Sequence, residues 1–336
     1  MGAETVQAAR VHGGPDARGP AAHDFSTNAN ACGPCPAALA ALQAADPTRY
    51  PDPGYAALRA QLAAFHGVAP ARVLVAASAS EFIMRISAAV ARPGAAVQVP
   101  AHAYGDYAWA AQAQRMAVHS TEGPARPVLA WACEPSSPLG QAHAGLAGQL
   151  QALAPQVPLV LDCAYAPLRL AGEASLDAAQ RDRVWQLWSP NKALGLTGVR
   201  AAYAIAPLQA DPQLLARLAQ LAPSWPVGAH GVAMLQAWTG RAAQDWLAAS
   251  LRQLRAWKAR QAALCAGLGW QVLDSDTNFF CARPPEPARL AEDLARLRAA
   301  QVQLRDCASF GLAGHVRLAA LAPAHQDALA RAWPRR

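Results

Sequence analysis

The segment that decides the fold reads Ser189-Pro190-Asn191-Lys192-Ala193-Leu194-Gly195-Leu196-Thr197-Gly198-Val199-Arg200. It holds one of only two lysines in 336 residues, although Lys and Arg together number 29. Arginine can replace lysine as a surface charge, but it stays protonated and cannot act as an amine nucleophile. Lysine can form a Schiff base with a carbonyl compound when its surroundings lower its pKa. Lys192 is therefore either a chance survivor at the surface or a chemical group, and the rest of the chain favours a chemical role.

The composition is that of a large globular protein with a well-buried core, because 53% of the residues are hydrophobic and 15% are charged. A chain of 336 residues suits two lobes. Pro, Gly or charge interrupts every apolar run before it reaches membrane-spanning length, so we expect no membrane contact. The formal charge of +7 comes from scattered arginines. Because there is no basic run, we expect no nucleic-acid partner.

The cysteines and histidines suggest a location but no chemistry of their own. The amino terminus lacks a secretory signal and the seven cysteines are scattered, so we expect a cytoplasmic protein. Cys32 and Cys35 form a C-x-x-C motif, but coil-type residues precede it where a redox motif would follow a strand. We expect no dithiol chemistry there. The nine histidines, including His66 and His230, show no metal-ligand spacing, and we expect no metal site.

Short β-type runs alternate with helical stretches between residues 36 and 225. The predicted strands cover residues 73–76, 96–100, 128–132, 159–162, 184–188 and 200–205. This alternation predicts an α/β fold, with a mostly parallel sheet and helices on both faces. Sites in such sheets lie just beyond the carboxyl ends of the strands. Asp162, Ser189 and Lys192 all fall at such ends.

After residue 225 the pattern changes to that of a smaller α+β domain. It predicts a long helical stretch over residues 230–267, a helix near 286–300, and strands at 270–273, 279–282 and 316–319. The first residues are rich in Gly, Pro and Ala and show no clear period. We therefore predict an arm over residues 1–35, a large domain over 36–225 and a small domain over 226–336.

Asp162 ends a very apolar strand, where a carboxylate is costly unless it meets a cation. Lys192 follows thirty residues later, and Arg200 follows eight residues after Lys192. Pyridoxal phosphate requires an amine, a carboxylate for its protonated ring nitrogen, and donors for its phosphate. These residues supply such groups, and they predict pyridoxal phosphate as the cofactor.

The motifs resemble those of the fold type I pyridoxal-phosphate enzymes, in the branch shared by histidinol-phosphate aminotransferases and cobalamin-pathway threonine-phosphate decarboxylases. The resemblance runs from His12 to about Leu318. It implies that Lys192, Asp162 and Tyr165 are catalytic, with Tyr165 bonded to the oxygen on the cofactor ring. It also implies that further residues bind the cofactor, namely Ser78, Ala79, Ser80, Tyr104, Ser137, Ser189, Arg200 and, from the neighbouring subunit of a homodimer, Tyr50.

Three details of the resemblance matter for activity. Ser137 stands where the family usually has an asparagine, so its contact with the ring oxygen is weaker or passes through water. The segments around His12 and Asn30 resemble the substrate-binding opening of the decarboxylases. Arg305 and Arg317 would bind the anionic groups of a small amino-acid substrate, and an Arg fork suits carboxylate and phosphate equally well.

Three functions follow from this interpretation. The first is decarboxylation of L-threonine O-3-phosphate in cobalamin biosynthesis, with the substrate phosphate held by His12, Arg305 and Arg317. The alternative is an aminotransferase of the histidinol-phosphate type, in which an arginine grips the carboxylate and Lys192 moves the α-proton. The third is an inactive binding protein that keeps the cofactor fold, which the Ser137 departure favours.

Overall fold

A computed structural model describes residues 12–120, 126–143 and 145–334. Its strands are β1 (His23–Asp24), β2 (Val73–Ala76), β3 (Ala96–Val99), β4 (Ala117–Ser120), β5 (Pro127–Cys133), β6 (Leu159–Asp162), β7 (Trp185–Trp188), β8 (Ala202–Ile205), β9 (Gln271–Val272), β10 (Phe279–Arg283), β11 (Val302–Gln303), β12 (Arg305–Asp306) and β13 (Val316–Ala319). Its helices are α1 (Pro36–Gln43), α2 (Ala56–His66), α3 (Ala79–Val90), α4 (Gly105–Ala113), α5 (Leu146–Ala152), α6 (Ala178–Arg181), α7 (Pro212–Gln220), α8 (Ala229–Thr239), α9 (Arg241–Gly267), α10 (Leu290–Ala299) and α11 (Pro323–Ala332).

Seven strands form the central sheet, in the order β2-β8-β7-β6-β5-β3-β4. The five strands from β7 to β4 in this order run parallel, whereas β8 is antiparallel to both of its neighbours. This arrangement confirms the predicted mostly parallel sheet. The sequence interpretation missed β4, because this edge strand is largely exposed and carries no apolar run.

Helices cover both faces of the sheet. Successive side chains of a strand point to opposite faces. Accordingly, Ala202 and Ala204 of β8 pack with α3, α4 and α7, whereas Tyr203 and Ile205 pack with α1, α2 and α8. A strand that is covered on both faces is apolar throughout. This explains β6, whose four residues are all buried and whose last residue, Asp162, is delivered to the edge of the sheet.

The C-terminal part contains a second, four-stranded antiparallel sheet in the order β12-β13-β10-β9. One apolar cluster joins this sheet to α9, α10 and α11. The arm packs here too, because β1 pairs in parallel with β11 and Phe25 lies fully buried in the same cluster. The domain limits at residues 35 and 225 stay predictions, and residues 1–11 of the predicted arm lie outside the described residues.

The helical stretch that was expected over residues 230–267 consists of two helices, because Gly240 divides it into α8 and α9. The backbone of Gly240 is extended, with ψ at 144°. α8 then packs its Met234 and Trp238 against the same cluster as α1 and α2. An isolated glycine is tolerated inside helices, so the pattern alone did not reveal the break. Among the described residues, no helix is both long and apolar enough to cross a membrane.

Gly195→Ala is expected to lower the free energy of unfolding by about 2 kcal/mol, because an L-residue in the left-handed region is strained. Gly195 has a φ of +67°, and a Cβ there would overlap the backbone carbonyl oxygen of Gly33. Gly198 in the same segment has open space around it and no positive φ. Gly198→Ala is therefore the matched control and should change stability by less than about 0.5 kcal/mol. Urea unfolding of both variants checks this; equal stabilities would contradict the packing of Gly195 on the arm.

Candidate active site

A cavity of about 840 Å³ lies at the carboxyl ends of β5, β6 and β7. The arm and the C-terminal sheet supply its other walls. Its lining includes most of the residues that the sequence singled out, namely His12, Ser78, Ala79, Ser80, Tyr104, Ser137, Asp162, Tyr165, Ser189, Lys192, Arg200, Arg305 and Arg317. Asn30 and Tyr50 lie outside this lining. The fold therefore brings together side chains that are as much as 305 positions apart in the chain, from His12 to Arg317.

Asp162 lies at the floor of the cavity and is only 4% exposed. Both of its oxygens accept a hydrogen bond, Oδ2 from the Tyr107 hydroxyl at 2.6 Å and Oδ1 from the backbone N–H of Ala164 at 2.9 Å. Among the described residues, no cation forms an ion pair with it. Burial therefore raises the pKa of Asp162, while the Tyr107 hydrogen bond opposes this rise. Such a carboxylate is suited to a ligand that brings its own cationic N–H.

Lys192 reaches the cavity from the segment that follows β7. Its Nζ lies 5.2 Å from the centre of the Tyr165 ring. The two residues that follow, Ala193 and Leu194, are fully buried and anchor the segment in the core. The arm holds it from the other side, because the backbone N–H of Asn30 donates to the Lys192 carbonyl at 2.9 Å. The amine is thereby placed on a fixed backbone.

Hydrogen-bond donors gather at one end of the cavity, around the amino terminus of α3. The Ser78 Oγ caps this helix by accepting from the Glu81 N–H at 3.1 Å. The Tyr104 hydroxyl donates to Asp106 at 2.9 Å, so the Ser80 hydroxyl, 3.2 Å away, is the donor to Tyr104. The Ser189 Oγ is buried and has no hydrogen-bond partner among the described residues. A helix amino terminus with a free buried hydroxyl nearby is suited to a phosphate group.

Tyr107 is a site residue that the sequence interpretation missed. It is fully buried, stacks on Trp131 with ring centres 4.5 Å apart, and directs its hydroxyl at Asp162. The available signal was its spacing: Tyr104 and Tyr107 are three positions apart at the start of α4, and such residues lie on the same side of a helix. Cys133 also lines the cavity, and burial raises its pKa, which keeps the thiol protonated.

Tyr107→Phe is expected to move the acid limb of cofactor binding to higher pH. The hydroxyl favours the charged form of Asp162, so its removal raises the pKa of Asp162 further and leaves less carboxylate at acidic pH. A hydrogen bond to a charged group is worth about 1.5–3 kcal/mol, and we expect affinity to fall about ten- to a hundredfold on the acid side. At a pH well above the pKa of Asp162 in the wild type and in the variant, Asp162 is charged in both proteins, and their affinities for the cofactor should be equal.

The measurement is the dissociation constant of pyridoxal phosphate as a function of pH. Tyr203→Phe is the matched control, because Tyr203 is equally buried and its hydroxyl contacts His66 and Trp238 rather than Asp162. A Tyr107→Phe profile that coincides with the profiles of the wild type and of this control would contradict the role given to the hydroxyl.

Arg305 and Arg317 lie side by side on β12 and β13, where they are direct partners in the strand register. Both are buried, at 4% and 6% exposed. Arg317 donates to the Ser137 Oγ at 3.3 Å and to the Ser26 carbonyl at 3.1 Å, and its Nε has no partner among the described residues. None of the carboxylates that the structure describes forms an ion pair with Arg317. This wall of the cavity is therefore suited to an anionic group.

Asn30 is not among the residues that line the cavity, and its assignment to the substrate stays a prediction. Its side chain donates to the Ala193 carbonyl at 3.1 Å and to the Ser250 Oγ at 2.7 Å. Asn28 lines the cavity in its place, with its amide 3.4 Å from the Tyr165 hydroxyl and its Oδ1 unpartnered among the described groups. Both asparagines belong to one irregular segment, where no periodicity predicts the direction of a side chain.

His12 and Tyr50 lie at the margins of the site. His12 is exposed and lines the cavity, with its ring centre 6.1 Å from that of Tyr104. Tyr50 is 78% exposed and stacks on Trp225 at 4.5 Å, outside the cavity of its own chain. Its contact with a neighbouring subunit stays a prediction.

The C-x-x-C motif and His66, for which the sequence predicts no chemistry, are packed into the fold. Cys35 is fully buried at the start of α1, and burial raises the pKa of Cys32. His66 contacts the Tyr203 hydroxyl at 2.7 Å, and burial lowers its pKa to about 4. Within the described ranges, no group of three or more His, Cys, Asp or Glu side chains is placed to hold a metal ion.

Comparison with known proteins places this site in a family. The model of the class I and II aminotransferases matches residues 22–333, and the chain belongs to that family. It is 30% identical to histidinol-phosphate aminotransferase 2 of Caulobacter vibrioides over 92% of this chain and 85% of that protein. It is also 30% identical to an aromatic amino acid aminotransferase of Rhodococcus opacus over 77% of this chain and 76% of that protein.

Solved structures share the fold. Histidinol-phosphate aminotransferase from Sinorhizobium meliloti, in complex with pyridoxal-5'-phosphate, has a TM-score of 0.83 at 22% identity and covers 94% of this chain and 90% of its own. L-threonine-O-3-phosphate decarboxylase from Porphyromonas gingivalis has a TM-score of 0.67 at 22% identity, with 88% and 93% covered. At these identities the likeness concerns the fold alone.

Proposed function

We propose that the protein is a pyridoxal-phosphate enzyme of the histidinol-phosphate aminotransferase type, which transfers the amino group of a small phosphorylated amine. The observation that carries this proposal is the buried pair Arg305 and Arg317 in the same cavity as Lys192. The curated relatives support amino transfer better than the decarboxylation that the sequence favoured, because several of them are histidinol-phosphate aminotransferases.

The cavity fits pyridoxal phosphate in three respects. Among the described residues, Asp162 is a buried carboxylate that forms no ion pair and the Ser189 hydroxyl is a buried donor without a hydrogen-bond partner; the amino terminus of α3 faces the same space. These groups would hold the ring nitrogen and the phosphate, and Lys192 would bind the aldehyde carbon. When bound, the cofactor supplies an electron sink for the bond that breaks at the substrate α-carbon.

The chain's own residues would then perform the proton transfers. Asp162, held by Tyr107 and Ala164, keeps a proton on the ring nitrogen. The Lys192 amine would take the proton from the substrate α-carbon and deliver it to the former aldehyde carbon of the cofactor, which is general acid–base catalysis. Arg305 and Arg317 hold the anionic end of the substrate, so the reacting bond is oriented by the opposite end of the molecule.

One observation favours decarboxylation of L-threonine O-3-phosphate as a second candidate. His12 and Gly13 line the cavity together with the two arginines, and they belong to the segment that resembles the opening of the decarboxylases. A phosphate held by His12, Arg305 and Arg317 would leave the substrate carboxylate free as the departing group. The assay that separates the candidates measures carbon dioxide from this substrate and glutamate from 2-oxoglutarate with histidinol phosphate. If neither product forms, the remaining candidate is an inactive binding protein.

Arg317→Ala is expected to raise the Michaelis constant for a phosphorylated substrate about ten- to a hundredfold, because one charge-assisted contact is worth about 1.5–3 kcal/mol. Cofactor affinity should change far less. His12→Ala should show the same defect only if the protein is the decarboxylase. Arg252→Ala is the control, since Arg252 is exposed on α9 and lies outside the cavity. If Arg317→Ala weakens L-threonine and its phosphate equally while His12→Ala weakens neither, decarboxylation is excluded.

We also propose a cytoplasmic homodimer with composite sites. Its support is the aromatic stack of Tyr50 on Trp225, which are 78% and 43% exposed. Exposed aromatic pairs of this kind are typical of surfaces that a partner covers.

A further inference from the structure

Phe310 contacts both arginines of the cavity. The Cζ of Arg305 is 4.7 Å from the centre of its ring, and the Cζ of Arg317 is 5.5 Å from it. Phe310 is 8% exposed and belongs to a short turn over Ala308–Phe310 that follows β12. A cation over an aromatic face is attracted by the negative charge of that face. Both guanidinium groups therefore have a common attractive partner.

The arginines need such a partner because they repel each other. They are neighbours in the strand register, and burial together with the charge of Arg317 lowers the pKa of Arg305. Phe279 lies near Arg317 at 5.6 Å. Within the described part of the chain, Phe279 contacts the guanidinium group of Arg317, whereas Phe310 contacts those of both arginines. Its ring offsets part of the repulsion and keeps the two charges close together.

The backbone of Phe310 accepts a hydrogen bond from the loop that precedes α4. The Nδ1 of His102, which lies in the loop before α4, is 2.8 Å from the Phe310 carbonyl oxygen. A carbonyl oxygen can only accept, so the His102 Nδ1 carries the proton. The next residue, Gly311, ends the turn in the left-handed region with a φ of +77°. The His102 contact thus links the position of Phe310 in the C-terminal part to a loop of the central sheet.

We propose that Phe310, positioned by His102, determines specificity by holding Arg305 and Arg317 at the spacing that one doubly charged group requires. The substrate class that it selects is the phosphate monoester of a small amine or amino acid, over the same molecule without phosphate. This inference rests on the proposed function, in which the arginines bind the anionic end of the substrate. His102 acts through Phe310 and does not contact the substrate.

The test compares L-threonine O-3-phosphate with L-threonine as ligands of the holoenzyme, with affinity read from the absorbance of the bound cofactor. The wild type should prefer the phosphate. Phe310→Leu should reduce this preference about three- to thirtyfold, whereas Phe310→Tyr, which keeps an aromatic face, should retain it. Phe280→Leu is the matched control, because Phe280 is also fully buried in the C-terminal part but outside the cavity.

A second pair of variants tests the anchor without altering the ring. His102→Ala removes the donor and should reduce the preference, and His102→Asn, whose amide N–H is placed like Nδ1, should restore it. If Phe310→Leu does not fold, the two His102 variants still test the inference. A wild-type preference that survives in Phe310→Leu and His102→Ala would overturn the inference and leave the proposed function intact. A wild type without any preference for the phosphate would overturn both.

Discussion

Lys192→Ala is expected to abolish turnover and the visible absorbance of the covalently bound cofactor. In the proposed mechanism the Lys192 amine binds the aldehyde carbon and moves the α-proton, so its loss removes two functions at once. Acid–base catalysis alone is worth about 10²–10⁴ in rate. The measurements are the rate of product formation and the absorbance spectrum after addition of pyridoxal phosphate. Near-wild-type turnover by Lys192→Ala would refute the assignment.

Lys258→Ala is the matched control, and it is a demanding one. Burial lowers the pKa of Lys258 to about 8, so this lysine is a better nucleophile than an ordinary surface amine. Its ammonium group, however, donates to the Ser275 carbonyl and lies outside the cavity. Position rather than basicity therefore decides between the two lysines. Lys258→Ala should keep both turnover and absorbance.

Asp162→Asn is expected to bind the cofactor but to lower the rate by about two to four orders of magnitude. An amide cannot stabilise a protonated ring nitrogen, and breaking a buried ion pair on one side costs about 3–5 kcal/mol. The amide oxygen of the variant can still accept the hydrogen bond that the Ala164 N–H donates to Oδ1, so the local fold should persist. The measurement is the single-turnover rate at saturating cofactor. A variant within threefold of the wild type would show that Asp162 is structural.

The central sheet could be predicted because most of its strands are covered on both faces. Such strands appear in the sequence as short apolar runs, as β6 does. β4 is an exposed edge strand, and β12 has only two residues, so neither leaves a pattern that sequence reasoning can detect. Gly240 ends α8 because of its extended backbone, whereas the same residue type occurs within helices elsewhere in proteins.

The presence of two titratable groups in the cavity could also be predicted, because these groups follow strand ends. They are Asp162 and Lys192. The residues that position these groups could not. Tyr107 acts on Asp162 from another element, and His102 contacts Phe310 from a position 208 residues away. Asn28 and Asn30 differ only in the direction of their side chains in an irregular segment. Each of these contacts depends on how separate elements pack, which local periodicity does not describe.

The central claim is that Lys192 binds pyridoxal phosphate in the cavity at the end of the parallel sheet. The most direct test is to reduce the holoenzyme with borohydride, digest it, and locate the pyridoxyl group by mass spectrometry. We expect the modification on the peptide that contains Lys192, with the Lys258 peptide unchanged. A modification on Lys258, or a protein that binds no pyridoxal phosphate, would contradict the account.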